Sequence, residues 1–211
     1  MQPDFQISFN KALSNEGFIS NNKSDHGGFT YKGISRTKHP AWPGWKIIDE
    51  FFRGTDYQSV PSFNQSFNHS LIQSQHIQQL NNNTALQKLV TDFYRTVFWN
   101  KLQADLLPSQ LIADELFESS INLGITAASV NLQLTINLLN RNKIFYNDIA
   151  VDGIIGNQTI EALNKCLAAN GEKLIYNILN FYQAKHYIQI MEKDPTQEIF
   201  IGWFSRIDII K

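Results

Sequence analysis

The chain has 211 residues, of which 43% are hydrophobic and 12% aromatic, enough to bury one larger core or two small ones packed together. Charged residues make up 18% and the formal net charge is −1, which excludes the basic, phosphate-neutralising surface that a nucleic-acid binder needs. The one cysteine, Cys166, excludes an intramolecular disulfide, and its place in "TIEALNKCLAAN" is that of an inert thiol on an apolar helix face.

The five histidines never fall at i, i+4 with a carboxylate partner, so neither a metal site nor a cofactor is expected. The opening "MQPDFQISFNKALSN" lacks the basic-then-apolar layout of a signal peptide. No apolar run approaches the ~20 residues that span a bilayer. The expectation is a soluble chain made in the cytoplasm, with no membrane span.

In chain order, Phe5, Phe9, Ala12 and Leu13 follow a helical period, predicting a helix over 4–16 with Asp4 as its N-cap. From Gly17 to Thr30 turn formers take over, and "SDHGG" marks a loop or short β-hairpin. "HPAWPGW" (39–45) is an irregular, aromatic-lined segment, since each proline removes a donor and restricts its predecessor. Residues 55–70 carry little pattern and suit a loop or short helical turns.

Leu86, Leu89, Val90, Phe93, Val97 and Phe98 predict one long helix from about Thr84 to Leu106, ended by Pro108. Two helices follow, 111–123 and 126–140, hinged at Gly124. "YNDIAVDGIIGNQTIEALN" reads as a loop, an Asp152–Gly153 turn and a helix capped by Asn157. Asp148 and Asp152 lack the ligand density of an EF-hand, so a turn explains them better than a cation loop. A long helix from Glu172 to Met191 breaks near Pro195, and the apolar "IFIGWFSRIDII" closes the chain. Trp99 and Trp203 read as structural. The fold class is mainly α with a small β-hairpin after the first helix. A boundary near residues 95–108 separates domain 1–97 from domain 98–211.

Glu16 raises the chemical question. On a helical wheel it falls within about 20° of Phe5, on the buried stripe, and at the helix C-terminus. An apolar neighbourhood and an unfavourable dipole both penalise the ionised form and raise a carboxyl pKa, as a general acid requires. Spacing alone leaves a second reading open, a glutamate turned outward as the helix frays. Asp25, nine residues on, is either a second carboxylate across a cleft or a plain turn residue.

The stretch "NEGFISNNKSDHGGFTYKGIS" resembles the signature of the glycoside hydrolase family 108 lysozymes, the bacterial and phage N-acetylmuramidases, which runs approximately E-G-G-Y-x-N-x-P-x-D-P-G-G-x-T-x-x-G-I. Without gaps the chain supplies Glu16, Gly17, Asn21, Asp25, Gly27, Gly28, Thr30, Gly33 and Ile34. Downstream, "ELFESSINLGITAASVNLQ", "VDGIIGNQTIEAL" and "IGWFSRI" resemble the peptidoglycan-binding domain that accompanies it. Phe18, Ile19, Lys23 and His26 depart from the first pattern, and Glu118 stands where the second domain often has Asp.

The resemblance implies a lysozyme-like helical fold that cleaves the β-1,4 bond between N-acetylmuramic acid and N-acetylglucosamine. Glu16 would be the general acid, with Asp25 and Thr30 positioning water or stabilising the oxocarbenium-like transition state. Tyr31, Trp42 and Trp45 are candidate substrate contacts, the tryptophans as a sugar platform or as core. Asn122 and Gln133 are candidate glycan hydrogen-bonders in the accompanying domain, or polar contacts between helices. The implied partner is the glycan strand of peptidoglycan, reached by a monomer through a phage-type holin, cell lysis or a secretion route, as a prophage endolysin would. The rival is a non-catalytic peptidoglycan-binding or secretion-accessory protein that keeps the fold; hydrolase and lytic transglycosylase are the two enzymatic variants.

Overall fold

The computed structural model describes residues 2–14, 19–20, 29–53 and 78–210. The fold is mainly α, and packing divides the chain into two compact units, Leu13–Tyr94 and Met1–Ala12 with Arg95–Lys211.

In the unit Leu13–Tyr94, the strands β1 (Ile19–Ser20), β2 (Thr30–Tyr31) and β3 (Ile34–Ser35) form an antiparallel sheet in that order. Tyr31 stands opposite Ile19 on one side and Ile34 on the other, and all three are buried, so the middle of this small sheet is apolar. The β2–β3 connection is a two-residue turn with positive φ at both positions, +45° at Lys32 and +78° at Gly33. A turn of that hand matches strand twist, and it explains why the sequence has a glycine there. The expected hairpin is thus present, with a third strand beside it.

Helix α2 (Gly44–Phe51) follows the two-proline segment, and α3 (Thr84–Tyr94) packs against it. Tyr94 donates its hydroxyl to the Lys32 carbonyl at 2.6 Å, and Gln87 donates to the Tyr31 hydroxyl at 3.0 Å. The hairpin turn is therefore pinned to α3 by hydrogen bonds, as buried polar groups require.

The helix expected over 84–106 is interrupted. Its α form ends at Tyr94, Arg95–Trp99 is a π turn, and Ala104–Leu106 is a short 3-10 turn. Gln103 has φ +48°, which no continuing helix allows, while the buried Trp99 indole donates to Asp105 Oδ1 at 2.7 Å. That bond anchors the ring where the turn brings Asp105 back to it.

In the other unit, which holds α1 (Phe5–Ser14) as far as Ala12, that helix is capped by Asp4, whose Oδ1 accepts from the Gln6 N–H at 2.7 Å. Phe5 meets Trp99 and Phe117 edge-on at 5.5 and 6.0 Å, and these rings form one end of the core. Helix α4 (Gln110–Leu123) begins at Ser109, whose side chain accepts from the Ile112 N–H. Gly124, at φ +91°, turns the chain into α5 (Ile125–Leu139), as the hinge reading expects. Helix α6 (Asn157–Asn170) starts from Gly156 with no side-chain cap, so Asn157 is its first residue and not its cap. Helix α7 (Glu172–Lys193) breaks before Pro195, and the last apolar stretch is a kinked 3-10 segment, Pro195–Arg206. Helix α4 packs on α5 and α7, burying Ile112, Leu116, Leu132 and Ile175, with Cys166 fully enclosed on α6.

Arg141, Asn142 and Lys143, after α5, all adopt left-handed φ. Each such residue with a side chain costs roughly 1–2 kcal/mol. No described helix is long and apolar enough to cross a membrane.

Candidate functional site

Glu16 and Asp25 lie outside the described residues, as do 17–18, 21–24 and 26–28 of the signature stretch and the segment 55–70 expected as a loop or short helical turns. Thr30 and Tyr31, at the other end of that stretch, form β2. Thr30 is partly accessible, whereas Tyr31 is enclosed. Burial pushes the Tyr31 phenol up to about 12, against the Gln87 hydrogen bond, so it stays a neutral hydrogen-bonding group at physiological pH. Lys32 gives its Nζ to Gln87 Oε1 at 2.7 Å, and burial holds its pKa below the usual lysine range.

Trp42 and Trp45 come together, their ring centroids 5.0 Å apart and nearly perpendicular. Phe29 packs edge-on to Trp45 at 6.0 Å, and Tyr31 lies stacked against Trp42 at 6.3 Å. The indole of Trp45 donates to the His39 carbonyl at 2.7 Å, and that of Trp42 to the Leu89 carbonyl at 3.3 Å. Both rings are thereby core members of this unit, only 8% and 3% exposed.

Both tryptophans help to line a groove of about 430 Å³, lined also by Arg36, Lys46, Asp49, Glu50 and Arg53. Arg36 clasps Asp49 through two hydrogen bonds of 2.7 and 2.8 Å and lies 5.1 Å from the Trp45 ring centre. A fork–fork pair of this kind fixes both charges in one plane. The lining thus combines charged and aromatic side chains, the mixture of donors, acceptors and apolar surface that a polyol requires. Reasoning from sequence passed over these charges, yet their signal was there. Lys46, Asp49, Glu50 and Arg53 recur at i, i+3, i+4 and i+7, the spacing of one helix face.

The two candidates of the second half are placed apart in role. Asn122 is half-buried and donates to the Glu118 carbonyl one turn back on α4, at 2.9 Å. Gln133 is buried, and its amide is engaged on the turn before α6: Oε1 accepts from the Gly153 N–H, and Nε2 donates to Asp152 Oδ1 and to the Ile154 carbonyl. Near them, α4 carries Glu115, enclosed between Ser119 and Asn180. Burial pushes its carboxyl up to about 7, with Glu118 adding to the rise and Ser119, Asn180 and Lys11 opposing it. Among the described residues no group of histidine, cysteine and carboxylate side chains is arranged to hold a metal.

Two family models between them cover most of the chain. The model of the family described as glycosyl hydrolase 108 matches residues 9–124, and a second, described as a predicted peptidoglycan domain, matches residues 128–208. The chain belongs to the glycosyl hydrolase 108 family, and with its peptidoglycan-binding domain it is a lysozyme-like protein directed at peptidoglycan. Among solved structures, that of Brucella abortus SagA shares the fold with a TM-score of 0.60 at 22% identity, over 96% of this chain and 88% of that one. Comparison with curated proteins returns no match.

Proposed function

We propose that the protein is an N-acetylmuramidase that hydrolyses the β-1,4 bond between N-acetylmuramic acid and N-acetylglucosamine, with Glu16 as the general acid. The observation that carries this reading is the family match over 9–124, which spans Glu16, Asp25 and the strand that bears Thr30. Glu16 protonates the glycosidic oxygen as the bond breaks; Asp25 and Thr30 place the water or steady the positive charge that develops on the sugar ring. Trp42 and Trp45 serve the substrate side of this unit through the groove that they help to line, and Tyr31, stacked on Trp42, backs them. Domain 1–97 carries the chemistry and domain 98–211 holds the wall, with half-buried Asn122 on its helix α4 and buried Gln133 bracing the turn at 152–154.

The test is a cell-wall zymogram with product analysis, wild type against Glu16→Gln. The reading expects cleared walls and new reducing ends from wild type only. Ends of the 1,6-anhydro type would assign a lytic transglycosylase instead. Walls bound but left uncut by both proteins would make this a non-catalytic wall-binding or secretion-accessory protein, a reading that the presence of Glu16 argues against and that Phe18, in place of the signature's second glycine, keeps alive. We propose further that the chain acts as a monomer and reaches the wall through a phage-type holin, as a prophage endolysin; lysis that requires co-expression of a holin is the check.

A further inference from the structure

The turn after α5 is unusual in this chain. Arg141, Asn142 and Lys143 have φ of +53°, +60° and +69°, and none is a glycine. One side chain holds the run in place. Asn140 Oδ1 accepts from the Lys143 N–H at 3.1 Å, the Asn140 carbonyl accepts from the Ile144 N–H at 3.0 Å, and Asn140 Nδ2 donates to Asp148. Strained backbone persists only when its surroundings over-determine it, and it gathers at ligand clamps.

Here the strained turn walls a groove of about 500 Å³ that runs back along the end of α5. Its lining is rich in donors. Among the described residues Asp148 is the one carboxylate in it, and that group already faces Asn140 Nδ2 and, at 3.6 Å, Lys143 Nζ. Arg141 is held from two sides: its guanidinium lies over the Phe145 ring at 5.2 Å and gives an N–H to Asn170 Oδ1 at 3.4 Å. A guanidinium has five N–H donors in a planar fork matched to a carboxylate, and Arg141 is exposed. Leu138 in the lining, and Ile144, which follows Lys143 in the chain, are exposed apolar side chains, 62% and 74% accessible.

Positioned cation, surplus donors and small apolar patches suit a short peptide that bears carboxylates and methyl groups. In the intact wall the lactyl carboxyl of N-acetylmuramic acid is tied up in its amide to the stem peptide, so the glycan itself offers hydroxyl and N-acetyl groups and the free carboxylates lie on the peptide. We propose that this groove binds the carboxylate-bearing stem peptide of peptidoglycan, with Arg141 as the carboxylate fork and Lys143 at its rim. The inference rests on the reading of residues 128–208 as the wall-binding part, and names the portion of the polymer that it recognises.

The test is pull-down of the full chain on purified sacculi fixed to beads through the glycan, either intact or stripped of stem peptides by an amidase and then capped as methylamides at the lactyl carboxylates that the amidase frees. Wild type should bind intact sacculi better by about tenfold, the worth of a lost charge-assisted hydrogen bond. Arg141→Gln with Lys143→Gln should abolish that difference without changing the thermal midpoint, since both variants keep unbranched side chains in the turn. Equal binding of wild type to both sacculi would overturn the proposal, as would a double variant that binds intact sacculi like wild type. A double variant that loses binding only to vesicles of anionic phospholipid would overturn it too, and assign the groove to a membrane surface. Release of reducing ends from stripped glycan is measured in parallel, so a failure of the cleavage reading is seen separately from a failure here.

Discussion

Gln133 and Gly153 are joined by a hydrogen bond of 2.8 Å in which the buried side-chain amide oxygen accepts from the turn's backbone. The same amide donates to Asp152 Oδ1 at 2.7 Å and to the Ile154 carbonyl at 3.0 Å, so one side chain fixes three successive residues. Gly153 itself has φ +76°, and a Cβ there would sit 2.7 Å from Thr126 Cγ2. Gln133→Ala should therefore destabilise the protein by about 2–3 kcal/mol in urea titration, because it leaves buried turn groups without partners. A change below about 0.5 kcal/mol would mean that water replaces the amide.

Gly44 lies directly beneath the Trp42 ring: a Cβ at that position would be 2.2 Å from the nearest ring carbon. Gly44→Ala must displace the indole, and with it the bond to the Leu89 carbonyl. We expect a loss of about 1–3 kcal/mol, typical of overpacking, with a change in tryptophan fluorescence. An unchanged melting curve would show that the ring moves without resistance.

Glu115 sets a pH dependence. Its folded-state pKa, raised to about 7 by burial, lies above the ordinary 4.5, so between those values the folded state holds a proton that the unfolded state has released. The stability linked to that proton is full below pH 4.5 and is lost as pH rises through about 7. The steepest slope is about 1.4 kcal/mol per pH unit. Charged groups that face the site include Glu118, which raises the pKa, and Lys11, which lowers it. Denaturation at pH 5 and pH 8 should show wild type weaker at the higher pH, whereas Glu115→Gln should flatten the difference. Parallel curves for the two proteins would remove Glu115 as the cause.

Thr30→Val keeps shape and strand propensity while removing the hydroxyl. If Thr30 helps to place water or steady the transition state, glycan cleavage should fall by about 10²-fold while the melting temperature stays near that of wild type. Cleavage at the wild-type rate would release Thr30 from that role.

Much of the helical frame was legible because its signals are local. Periodic apolar positions mark α4, α5 and α7, and Gly124, at φ +91°, stops one helix and starts the next. The break after Tyr94 was not legible: the apolar period runs on through Phe98, and the interruption depends on Trp99 meeting Asp105 across a turn. The left-handed run 141–143 carries no glycine to announce it and is held by Asn140, whose helical spacing reads as a plain continuation of α5. At the candidate site, the pattern around residues 39–45 left platform and core equally open for Trp42 and Trp45. The decision lay in their backbone acceptors, Leu89 and His39, which no periodicity reveals.

Cys166 offers a built-in clock. Burial raises its pKa, against hydrogen bonds from Tyr146 and Asn170, and the thiol is fully enclosed on α6. Since the sequence has no other cysteine, a thiol reagent meets a single target. The reagent can react only when the packing around α6 opens, so labelling progress on the unmodified protein reads the frequency of that opening directly. The same measurement on sacculus-bound protein would report how far the wall, as a ligand, slows it.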